Sequence, residues 1–275
     1  MFICAFVVCK SLFLAIHAQV YICRFAKGKT MTTKERLDKI CALIDSGLTS
    51  KNAVQALALI GFDGLDAEEM KSFRLWNDYM PLADELPYTE AQRNLHILWD
   101  CLDKTPYGMN CDFAIPLRCA IAKKLFKKCG DGFVANEGCK FNFANNIEIG
   151  ENVSWNSGCY IDAKGGVKMG DFVMLTENVT IFTHSHSEHD HMARTYTPVE
   201  IGDYAKIYTA ATILPGVKIG KGGIVATGAI VTKSVDEFTL VAGIPAKPMR
   251  KRNFDGEDLA KMNQYMMKDK AFQKK

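Results

Sequence analysis

Four of the six histidines, His184, His186, His189 and His191, lie within eight residues in the stretch THSHSEHDHM. Imidazole is the side chain best suited to take a proton near neutral pH, so the cluster reads first as a source of a general base. It also admits zinc, since imidazole is a common zinc ligand. Zinc needs three ligands held apart in a fixed geometry, whereas these four share one short loop, so no metal is expected. For His189 and His191 a polar loop surface is the better reading. A base also needs a neighbour to fix its tautomer, and Glu188 or Asp190 stands close enough in sequence to do so.

The segments on either side must position this loop. Ile201, Ile207, Ile213, Ile219, Val225 and Val231 recur every six residues in unbroken register. An earlier run places Phe143, Ile149, Trp155 and Ile161 at the same spacing. A two-residue insertion at Lys164–Val167 then shifts the frame to Met169, Leu175 and Ile181. Period six is neither helical nor a simple strand alternation. It suits a triangular coil with six residues per face and one aliphatic side chain per face pointing inward. Coils stack at the usual strand spacing of about 4.8 Å. No hexad buries its side chain alone, so the array must be long, and the hexads counted here make about four to five coils. The register is lost between Ile181 and Ile201, where the histidines fall. An irregular insertion on a rigid solenoid is where function usually sits.

Residues 33–125 carry helix signals instead. Leu37, Ile40, Cys41 and Ile44 have helical spacing, with Gly47 at the end. A second helix covers residues 51–60, stopped by Gly61. Asp66 and Glu69 have capping-box spacing ahead of Met70, Phe73 and Trp76, and Pro81 stops that helix. Thr89 and Gln92 repeat the box before Leu95, Leu98 and Leu102. A last helix is expected from Pro116 to Gly130. Trp76 and Trp99 read as core.

The chain has 275 residues, with 48% apolar and 24% charged side chains, which are globular proportions. A formal charge of +3 gives no electrostatic reason to expect nucleic acid. Ten cysteines form no C-x-x-C pair and read as reduced, mostly buried thiols of a cytoplasmic protein. Residues 1–30 form an apolar leader that fits neither a membrane span nor a signal peptide. It is expected to arise from an upstream start codon, with Met31 as the functional start, and to contribute nothing to the fold. A membrane anchor is the alternative. The expected organisation is a leader (1–30), an α-helical region (31–130), a mainly β solenoid (131–252) and a C-terminal tail or helix (253–275).

The hexads and the loop resemble the hexapeptide-repeat acyltransferases, closest to the branch of maltose, galactoside and capsule O-acetyltransferases. The resemblance covers roughly residues 112–252. It implies a left-handed parallel β-helix, a homotrimer with active sites between neighbouring prisms, and acetyl-CoA as co-substrate. In the family a T-x-x-H segment follows N-V-x-I. Asn178-Val179-Thr180-Ile181 precedes Thr183-His184-Ser185-His186 here, so the catalytic role falls on His186, with His184 the close second. The implied chemistry is proton removal from a sugar or glycan hydroxyl, which attacks the thioester directly.

Asn156 and Asp162 align with sugar-binding positions of the relatives, although both types are also common at solenoid corners. Gly158 stands where the family usually has a second Asn. On the donor side, Ala226 matches the small-residue coil along the pantetheine arm. Thr232, Lys233, Lys247 and Arg250 match positions near the nucleotide and its phosphates. The family's V-W-I-G is replaced by Ala205-Lys206-Ile207-Tyr208, which puts Lys206 and Tyr208 beside the thioester channel. A tyrosine there narrows the channel, reshapes it for another acyl group or marks a lost activity. The competing readings are thus another acyl-CoA transferase, a zinc-dependent β-helix hydratase and an inactive scaffold.

Overall fold

The computed structural model describes residues 31–190 and 192–252. The leader (1–30), His191 and the C-terminal tail (253–275) lie outside the described residues. The chain divides into two compact units, Met1–Arg36 and Leu37–Lys275. In the described part of the first, Thr32 and Glu35 cap each other: the Glu35 N–H donates to Thr32 Oγ1 at 3.2 Å and the Thr32 N–H to Glu35 Oε2 at 2.8 Å.

The second unit carries the solenoid and most of the helices. Helix α1 spans Thr33–Asp45, α2 Ser50–Leu59, α3 Ala67–Ser72, α4 Glu90–Leu102 and α5 Cys111–Leu125. The Thr89/Gln92 box opens α4 as expected, with both reciprocal bonds made. Two expectations change. Helix α3 stops at Ser72, well before Pro81, because Phe73 turns extended; Trp76–Tyr79 then forms a separate 3₁₀ turn. Helix α5 starts at Cys111, where Asn110 O accepts from the N–H groups of Phe113 and Ala114, so Pro116 lies inside the helix. It ends at Leu125 rather than Gly130, because Lys128–Cys129 is already the first strand of the solenoid.

From there the chain winds a left-handed parallel β-helix of about six turns. Three faces repeat. The first stacks Cys129, Ile149, Met169, Ile201 and Ile219. The second stacks Ala135, Trp155, Leu175, Ile207, Val225 and Val241. The third stacks Phe141, Ile161, Ile181, Ile213 and Val231. All but Cys129 are buried, so each contributes roughly the 1.5–3 kcal/mol of a fully buried apolar side chain, less for alanine.

More turns form than the hexads suggest, because Ala135, Phe141 and Cys129 of the first turn depart from the aliphatic pattern. The inward residue expected at Phe143 is Phe141, paired with Ile161. The corner after the third face carries two extra residues in each of the first two turns, and Phe143 takes a left-handed φ of 42° there. At the preceding corner, Gly158 has φ +75° and packs so closely on Asn178 that a Cβ would collide with its side chain. That explains a glycine at this position.

An aromatic cluster joins the helices to the first turns. Trp99, Phe126, Phe133, Phe141 and Trp155 have ring centroids 5.0–6.4 Å apart. Trp99 Nε1 also donates to Cys139 O at 2.8 Å, which anchors α4 to the solenoid.

Candidate active site

The same corner, after the third face, carries the histidines. Between Ile181 and Val199 the chain leaves the coil as a β-hairpin, not an irregular loop. Strand His184–His186 pairs antiparallel with Arg194–Tyr196, placing His184 opposite Tyr196 and His186 opposite Arg194. Ser185 Oγ and Thr195 Oγ1 meet at 2.6 Å on the other side. The period of two in a strand puts both imidazoles on one side, with ring centroids 5.2 Å apart. Buried Thr183 roots the hairpin: its Oγ1 donates to Asp162 O at 2.7 Å and accepts from the Gly165 N–H at 2.8 Å.

Asp162 is fully buried beneath the hairpin. Its Oδ2 lies 2.5 Å from His184 Nδ1 and accepts from the Thr183 N–H; its Oδ1 accepts from Lys164 Nζ and Asn142 Nδ2, each at 2.8 Å. Burial pushes this carboxyl up, but the hydrogen bonds from Lys164, His184 and Asn142 outweigh it and hold it below the usual carboxylate range. An ionised Asp162 accepts only, so His184 carries a proton on Nδ1, and Nε2 is the ring nitrogen turned away from the carboxylate. Asp162, expected among the acceptor contacts, has its oxygens engaged by the protein. Glu188 and Asp190, expected to fix a histidine tautomer, are both exposed, and the carboxylate against His184 Nδ1 is Asp162. His186 and His189 are exposed on the hairpin, whereas the His184 side chain is only 17% exposed.

A polar pocket of about 270 Å³ lies in the helical region, lined by Arg74, Asn77, Asp78, Tyr79, Tyr88 and Arg93 among others. Arg93 grips Asp78 through Nε and Nη2, the latter at 2.7 Å. The pocket is tied to the histidine corner: Tyr88 Oη accepts from the buried Ala144 N–H at 2.7 Å, and Asn145 Nδ2 donates to Leu86 O. Ala144 is two residues from Asn142, which binds Asp162. Burial raises the Tyr88 phenol, which stays neutral. Tyr88→Phe strands the Ala144 N–H and is expected to cost about 1–3 kcal/mol, read from the urea midpoint.

Asn156 sits on a different corner, after the second face. Its Nδ2 donates to Glu177 Oε1 at 2.6 Å, and Asn136 hydrogen-bonds its Oδ1. Tyr208 and Ala226 continue this column on adjacent turns, where Tyr208 N donates to Val225 O and Ala226 N to Val241 O. Lys206 is half-buried on the second face; burial and then the Arg252 cation push its ammonium down. Thr232, Lys233 and Lys247 line one groove of about 310 Å³ with Val231, Val241 and Pro245 at the end of the solenoid. Arg250 is exposed on the last strand. Among the described residues no group of three His, Cys, Asp or Glu side chains is placed to hold a metal.

No family model matches the chain. Over 138 residues it is 30% identical to the galactoside O-acetyltransferase of Escherichia coli strain K12, covering 49% of this chain and 68% of that one. The maltose O-acetyltransferase of Clostridium difficile 630 superposes with a TM-score of 0.52 at 25% identity, over 68% of this chain and 97% of the other. A galactoside acetyltransferase in complex with coenzyme A shares the fold at 24% identity and a TM-score of 0.52, over 63% of this chain and 92% of the other. The chain belongs to the hexapeptide-repeat O-acetyltransferase family, whose members are CoA-dependent acetyltransferases.

Sequence reasoning missed the pairing of Asp162 with His184 and the whole of the Asp78–Arg93 pocket. The first is a contact between residues 22 positions apart, on different turns. The second lies in a segment whose only legible signals were those of a capped helix.

Proposed function

We propose that the protein transfers an acetyl group from acetyl-CoA to a hydroxyl of a sugar or glycan, with His184 as the general base. The observation that carries this reading is the buried carboxylate of Asp162 on His184 Nδ1. It holds the imidazole in one tautomer and orientation, with Nε2 available to take a hydroxyl proton; the hydroxyl oxygen attacks the thioester carbonyl, the C–S bond breaks, and the proton on Nε2 passes to the departing thiolate. His186, the residue favoured by the family spacing, is the alternative base and sits on the same side of the hairpin. Acetyl-CoA, when bound, supplies the activated acyl group. The groove of Thr232, Lys233 and Lys247 suits its charged nucleotide end, and the column of Tyr208 and Ala226 suits its pantetheine arm.

The acceptor pocket is the one built around Asp78 and Arg93, whose carboxylate and planar guanidinium suit neighbouring hydroxyls. Asn156 and the histidines stand on different corners of one prism. The working site therefore combines corners from neighbouring copies, and the assembly is a homotrimer, checked by sedimentation equilibrium. No described helix is long and apolar enough to cross a membrane. The seven described cysteines are free thiols, which suits the reducing cytoplasm.

Calorimetry with acetyl-CoA tests the donor half of the reading. Saturable binding displaced by free CoA is the expected result. Absence of binding would remove the reading and leave the inactive scaffold, with Lys206 and Tyr208 as the obstruction.

A further inference from the structure

We infer that Trp76 and Tyr79 form an aromatic platform carrying the outer rings of an extended glycan acceptor, beside the Asp78–Arg93 pocket. The inference rests on reading that pocket as the acceptor site. Of the three tryptophans, Trp99 and Trp155 are completely buried, whereas Trp76 is 74% exposed and Tyr79 70% exposed. Both lie on the 3₁₀ turn Trp76–Tyr79. In a 3₁₀ helix, side chains three residues apart eclipse one another, so the indole and the phenol leave the turn on the same side.

The turn is rigidly held. Asp78 Oδ2 accepts from the Leu75 N–H at 2.7 Å, and Arg93 grips the same carboxylate. Tyr79 itself lines the pocket. At about 270 Å³, the pocket is at the small end of ligand sites, the scale of one sugar ring. A pyranose presents hydroxyls around its edge and C–H groups on its faces. Its edge suits the carboxylate and guanidinium; its faces suit an indole or phenol. One ring in the pocket leaves the platform bare, and further rings cover it. The arrangement therefore selects for an acceptor of two or more sugars, held by a surface ordered before binding.

Trp76 reports on its own occupancy, because collisional iodide reaches only an exposed indole. The experiment measures iodide quenching of tryptophan fluorescence in the full protein against gluco- and galacto-oligosaccharides of one, two and four rings. Trp76→Phe identifies the quenchable emission. The expected result is quenching in the free protein that falls when the tetrasaccharide is added, and falls less with the monosaccharide. Alongside, Trp76→Ala should lower the ratio of kcat/KM for tetrasaccharide over monosaccharide by about 2- to 12-fold, the range for one aromatic contact.

Unchanged quenching with every oligosaccharide, while the monosaccharide is acetylated, overturns the platform and spares the proposed function. Loss of quenching under oligosaccharide without any acetyl transfer supports the platform and removes the function. Absence of both protection and transfer overturns both. A Trp76 that iodide cannot reach in the free protein is covered by a neighbouring copy, and the inference falls. Equal loss of kcat/KM for both acceptors likewise overturns it.

Discussion

On the proposed mechanism, His184→Ala is expected to lower kcat for acetyl transfer by about 10²–10⁴-fold, the usual worth of a positioned general base. The fold survives the change, because Asp162 keeps Lys164 and Asn142 as partners and the truncated side chain lies at the surface edge of the hairpin. His186→Ala, at the exposed end of the same strand, is expected to have the smaller effect. Steady-state kinetics of the two variants, with circular dichroism to confirm folding, decides between them. A larger loss from His186→Ala would move the base two residues along, to the position the family spacing favours, and would leave His184 as a structural partner of Asp162.

Asp162→Asn separates these roles further. It removes the charge that orients His184, so transfer falls. It also leaves the Lys164 ammonium, with a side chain only 9% exposed, without its carboxylate. Stability therefore falls together with activity, whereas His184→Ala affects activity alone.

The largest expected stability effect lies elsewhere, at the junction of helices and solenoid. Arg118 of α5 is 1% exposed and forms an ion pair with Asp103. Its guanidinium also reaches Ala135 O and Gly108 O, while Asp103 Oδ2 accepts from the Gly138 N–H at 2.9 Å. Asp103→Ala leaves a buried cation and a solenoid N–H without their acceptor. Breaking a buried pair in this way costs about 3–5 kcal/mol. Urea unfolding of the variant should show that loss, and Glu68→Ala is the control. Its partner Lys71 is 53% exposed and the Glu68 side chain 82%, so solvent screens this surface pair and little change is expected. A loss below about 1 kcal/mol for Asp103→Ala would mean that Arg118 finds water or another acceptor and that the junction depends on the aromatic cluster.

The sequence alone determined the solenoid and the place of its interruption. Apart from the breaks after Ile161 and Ile181, the inward residues from Ile149 to Val231 repeat every six, the spacing that suits a three-faced coil, and each is apolar because each is buried. The histidine segment was legible for the opposite reason, since it breaks that rule. The Thr89–Gln92 box was readable because a helix cap is made by residues three apart.

Tertiary structure decided what depends on stacking between turns. Asp162 and His184 meet because one extra corner residue pair and one hairpin leave the prism at the same edge, and no local pattern encodes that coincidence. Phe141 takes the stacked position expected of Phe143 for the same reason: the two extra residues at that corner shift the register, so Phe143 is buried at the corner instead, and only the pairing with Ile161 reveals it. Trp76, read from the sequence as core, is exposed because Phe73 ends α3 early and the following 3₁₀ turn faces outward. A helical spacing predicts a buried face only while the helix continues; once the backbone turns extended, the next large side chain goes wherever the turn sends it.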